Sequence, residues 1–115
     1  MSRSASLRLA DILEACDRVI DYTSGMSAED FKADSRTADA VIRNLQIIGD
    51  AVKQLPEATR AGDDAVDWRR IAGMRDMLVH AYFGVDLDLV WDVAETKIPP
   101  LRAAVRRLLD TPEPG

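Results

Sequence analysis

Apolar residues recur at helical spacing along most of the chain. They fall first at positions 9, 12, 13, 16, 19 and 20, a stripe that predicts a helix over roughly Leu7–Tyr22, closed by Gly25. Ser27-Ala28-Glu29-Asp30 has the form of a capping box and predicts a short helix carrying Phe31. A new start at Asp34 or Ser35 leads into apolar positions 38, 41, 42, 45, 48, 52 and 55. This predicts a helix of about twenty residues ending before Pro56. Gly49 inside it costs about 1 kcal/mol against alanine, so it is expected at a close crossing with another helix. The polar run 56–67 reads as a loop with at most one helical turn. Asp67 then caps a helix opening at Trp68, with Ile71, Ala72, Met74 and Leu78 on its core side. Asp86 caps another, built on Leu87, Val90, Trp91, Ala94 and Ile98. Pro99-Pro100 is expected to break or kink it, with helix resuming from Leu101 through Ala104, Val105 and Leu108.

No segment alternates in the manner of a strand, and there is no repeat or glycine-rich phosphate loop. The expected fold class is all-α: an up-and-down bundle of four to five helices, one domain over 1–110, with 111–115 as a disordered tail. One helix departs from the surface pattern. Beyond Arg75 it is apolar on nearly every side, through Met77, Val79, Ala81 and Phe83, so its second face needs cover, from a central place in the bundle or from a second subunit.

Charge narrows the choice of partners. With 15 basic and 20 acidic residues the net charge is −5, so any nucleic-acid contact must come from a local cluster of cations. Arg36 and Arg43, seven apart on one helix face, form either a solvated polar edge or a phosphate-binding track. The single cysteine, Cys16, excludes an internal disulfide and sits among Ile12, Leu13, Val19 and Ile20 as a small core residue. No carboxylate or Cys/His grouping has metal-ligand spacing, and no cofactor is expected. The absence of a leader or a long apolar run predicts a cytoplasmic protein with no membrane contact.

Most of the candidate chemistry lies in Arg75-Asp76-Met77-Leu78-Val79-His80-Ala81-Tyr82-Phe83-Gly84. It holds the chain's one histidine, together with an arginine, an aspartate and a tyrosine in otherwise apolar sequence. Imidazole exchanges a proton near neutral pH, guanidinium grips phosphate with a fork of donors, and a phenol donates a hydrogen bond or accepts a modification. On a helix Asp76 and His80 share a face, so the carboxylate can orient the ring. Arg75 and His80 are about 140° apart at 3.6 residues per turn, so a joint site needs the arginine to swing round or a second copy of the helix. Taken alone, the same residues fit a polar helix end whose histidine complements the macrodipole.

The pattern Arg75-x-x-x-x-His80-x-Tyr82, with a polar residue after the arginine, resembles the signature of the HEPN ribonuclease superfamily. WRRIAGMRDMLVHAYFGVDLDLVW, with AVIRNLQIIGDAVKQLP before it, resembles more closely the HepT toxins of HepT–MntA toxin–antitoxin pairs, over about Leu9 to Leu101. Where the HepT pattern usually has glutamate this chain has Asp50, whose role stays open. The resemblance implies a two-fold symmetric dimer with a composite cleft and metal-independent endoribonuclease activity. It also implies that an MntA-like nucleotidyltransferase antitoxin attaches AMP to Tyr82.

Cleavage of RNA without metal needs one group to deprotonate the 2′-hydroxyl, another to protonate the leaving oxygen, and a cation on the phosphate. One histidine supplies one proton carrier, and two copies of the chain supply both. His80 is therefore expected as general acid or base, Arg75 as phosphate clamp, Asp76 as orienter and Tyr82 as substrate or regulatory contact. The alternative is a non-catalytic helical module that binds RNA, nucleotide or a partner protein.

Overall fold

A computed structural model describes residues 2–81 and 86–111, without the side chains of 79–81. Every regular element among the described residues is helical. Helix α1 runs Arg3–Thr23, about a turn longer at its start than its apolar stripe implies. The hydroxyl of Ser2 accepts the Ala5 N–H and so begins the helix before the first core leucine. Gly25, at φ +77°, makes the left-handed turn that ends it. The capping box forms: Ser27 and Asp30 exchange backbone and side-chain bonds at the start of α2, Ala28–Ala33. Asp34 then caps α3, Ser35–Lys53, accepting the Thr37 N–H and hydroxyl.

A single-turn α4 (Glu57–Ala61) precedes α5 (Trp68–Ala81). The intervening loop is tied down: the Trp68 indole donates to the Asp63 carbonyl at 2.7 Å, and Arg107 holds the Asp63 carboxylate at 2.8 Å. Asp67 accepts the Arg70 N–H, as an N-cap should. Asp86 caps α6, Leu87–Asp92, which runs through a π-helical turn, Val93–Lys97, into α7, Ile98–Asp110. Gly84 and the 112–115 part of the expected tail lie outside the described residues.

The prolines do not break the last helix where the sequence suggests. Pro99 and Pro100 occupy the first turn of α7, and the irregularity sits one turn earlier, where the Ile98 N–H reaches back five residues to the Val93 carbonyl. A proline inside a regular helix collides with the carbonyl of the preceding turn. The wider π turn carries those carbonyls outward, so the rod continues.

The long helices pack in the order α5–α3–α1–α7, and α2 bridges α3 and α6. Their facing stripes form one core. Leu9, Ile12, Val19, Phe31, Val41, Leu45, Ile48, Val52, Ile98, Leu101 and Val105 are all fully buried. Phe31 meets Trp91 with ring centroids 5.3 Å apart, which pins α2 to α6. Cys16 lies in this core. Burial, and secondarily Asp17, push its thiol up to about 12, so it packs as a neutral apolar group. Among the described residues no helix is long and apolar enough to cross a membrane.

Candidate functional site

Gly49 decides how α5 meets α3. A Cβ placed there would stand 3.0 Å from the Cβ of Arg75 and 3.2 Å from its backbone nitrogen. Only glycine allows the two helices to approach this closely. The predicted crossing exists, and its partner is the candidate phosphate clamp itself.

At that crossing two opposite-charge pairs bridge the helices. Asp50, next to the glycine, takes the Nε of Arg75 at 2.5 Å. One turn further along α3, Lys53 donates to both oxygens of Asp76, at 3.3 and 3.4 Å. All four side chains are part-exposed, between 39% and 62%, so they stand at the surface, where solvent and a ligand can reach them. Neither Lys53 nor the Asp50–Arg75 link was anticipated from the sequence. The signal was present as complementary order, Asp50 and Lys53 on one helix against Arg75 and Asp76 on the other.

Helix α5 is regular through Ala81, so His80 follows Asp76 by one turn on the same face, as expected. The His80 side chain lies outside the described residues, as does the whole of Tyr82. Asp76 is held by Lys53. A carboxylate has lone pairs enough to accept a ring N–H as well, so that contact is compatible with a role as orienter. Arg36 and Arg43 are exposed on α3. Their spacing to each other and to Asp50 is seven residues, which sets them in one row leading to Arg75, each step about 10 Å at 1.5 Å per residue. Among the described residues no group of three His, Cys, Asp or Glu lies close enough to hold a metal ion.

A second surface feature flanks α5 on its other side. A groove of about 580 Å³ runs between α5 and the α6–π–α7 rod, lined by Ile71, Gly73, Met74, Met77, Leu89 and Val93 among others. Met77 and Leu89, both nearly two-fifths exposed, are two of the four large apolar side chains that the described surface leaves in water. Gly73 lies mid-helix, and a Cβ there would meet nothing within 4 Å. Of the four residues on the face expected to need cover, Met77 is left exposed. The Val79 and Ala81 side chains and the whole of Phe83 lie outside the described residues.

The family model for HepT-like ribonucleases matches residues 12–108. The chain belongs to the HepT-like ribonuclease family. This HepT-like chain is 41% identical over 108 residues to a protein of Thermococcus cleftensis named "Probable ribonuclease HepT", covering 94% of this chain and 98% of that one. A protein of Caldanaerobacter subterraneus subsp. tengcongensis, provisionally named an RNase, is 43% identical over 101 residues, 88% of this chain and 90% of its own. Another provisionally named RNase, from Methanocaldococcus jannaschii, is 43% identical over 91 residues, 79% and 75% of the two chains. No solved structure matches the HepT-like chain significantly.

Proposed function

We propose that this HepT-like protein is a metal-independent endoribonuclease toxin, acting as a two-fold dimer and neutralised by AMP attached to Tyr82. The observation that carries the reading is Arg75, fixed at the α3–α5 crossing with its guanidinium at the surface. His80 lies five residues further along the same helix. Membership of the HepT-like family supports RNA as the substrate.

In this mechanism two His80 side chains, one per protomer, divide the proton transfers. One takes the proton from the 2′-hydroxyl and the other gives one to the departing 5′-oxygen. The Arg75 guanidinium holds the phosphate as charge gathers on its oxygens, and Asp76 orients the ring. Attack by the neighbouring hydroxyl leaves a 2′,3′-cyclic phosphate. The apolar groove and exposed Met77 and Leu89 support burial of this side of α5 against a second copy. Arg36 and Arg43 extend the cationic row along which RNA would lie.

AMP on Tyr82, two residues past His80, would add a phosphodiester and an adenosine beside the phosphate site, repelling RNA and occupying its place. The partner is an MntA-like nucleotidyltransferase. Co-expression with an MntA-like nucleotidyltransferase is expected to add one or more AMP units to the intact mass, and Tyr82→Phe is expected to abolish the gain. An unmodified chain, or AMP on another residue, contradicts this part of the proposal.

A further inference from the structure

An ion pair as exposed as Asp50–Arg75 adds little to stability in water, where screening and side-chain entropy offset the attraction. Its geometry is nonetheless specified by the fold. Gly49 brings the Arg75 backbone against α3, which sets Asp50 beside the arginine stem. Lys53 binds both oxygens of Asp76. A long arginine with four rotatable bonds samples many positions unless something holds it. Contact through the inner nitrogen, Nε, still leaves donors on the two terminal nitrogens, because a guanidinium carries five N–H groups.

We infer that Asp50 is a positioning residue: it holds the Arg75 guanidinium in the orientation that clamps phosphate. This rests on the nuclease reading for its consequence in catalysis, but the hold itself is a property of the folded chain. Asp50 touches neither substrate nor the reacting atoms. It acts by removing the search that a free arginine would make during each turnover.

Two measurements on the full-length protein test it. In the first, the side-chain Nε–H of Arg75 is followed by nitrogen-15 NMR in the wild type and in Asp50→Asn. The wild type is expected to show a slowly exchanging Nε–H. In the variant that signal should move and exchange with water several-fold faster, while the backbone spectrum keeps its dispersion. An unchanged Arg75 signal overturns the inference, whether or not the protein cleaves RNA. In the second, cleavage kinetics on a short RNA are expected to show kcat reduced about 10- to 100-fold in Asp50→Asn with no rise in KM. The lost carboxylate was a negative charge beside the cleft, so binding itself should not suffer. Asp50→Glu should recover most of the rate. A faster Asp50→Asn enzyme would mean that the carboxylate competes with phosphate, and it overturns the positioning role. Absence of cleavage in the wild type defeats the nuclease reading alone and leaves the NMR result to decide the hold.

Discussion

The Cβ of Arg75 stands 3.0 Å from where a side chain on Gly49 would begin. Replacing Gly49 by alanine therefore sets two effects against each other. Helix propensity favours alanine by about 1 kcal/mol. Overpacking costs about 1–3 kcal/mol, and here the obstructing atoms are a Cβ and a backbone nitrogen that cannot swing aside. The clash wins. Gly49→Ala is expected to lower unfolding free energy by about 1 kcal/mol in urea titration, and Gly49→Val by more. A stabilised Gly49→Ala would mean that α3 and α5 do not cross at this point.

Acid should unfold the protein in part through two held carboxylates. The Arg107 guanidinium keeps Asp63 below the usual carboxylate range, and the Thr37 hydroxyl and N–H do the same for Asp34. A carboxylate with a depressed folded value contributes stability that is complete above its unfolded value, near 4. That contribution is lost as pH falls through the folded value. Stability should thus be flat in these groups from neutral pH down to about 5 and fall below about 4. Asp63→Asn and Asp34→Asn should each be less stable at pH 7 and should each flatten the acid limb. Unaltered slopes in both variants would show that neither pair matters.

The proposed dimer, with the groove beside α5 covered by a second copy, is one that a single charge can weaken. Light scattering at micromolar concentration is expected to give twice the chain mass for the wild type. Met77→Asp should shift the population toward monomer with the helical circular-dichroism signal retained, because the methionine is exposed and lies outside the buried core. A wild-type monomer removes the two-copy cleft.

Much of this architecture can be read from residue spacing. All seven apolar positions that mark α3, from Ala38 to Leu55, are buried. The caps at Asp34, Asp67 and Asp86 form where side-chain chemistry places them. Spacing fixes the face of a residue relative to its own helix axis and nothing more. Gly49 thus announced a crossing without naming Arg75, and nothing in the spacing singled out Lys53. The π turn at Val93–Lys97 escaped for a related reason. The prolines mark that the helix is perturbed, but their positions alone do not say that the extra residue is absorbed one turn earlier, at Val93–Lys97. The family resemblance added what spacing could not, the roles expected of His80 and Tyr82.

The most direct measurement is cleavage of a defined RNA by the purified protein in excess chelator, compared with His80→Ala and Arg75→Ala. The account predicts cleavage by the wild type with products ending in 2′,3′-cyclic phosphate. Each substitution should lower the rate by at least about a hundredfold, while the dimer stays folded. Binding without cleavage would return the chain to a non-catalytic module. Undiminished cleavage by both variants would place the nuclease elsewhere and contradict the account.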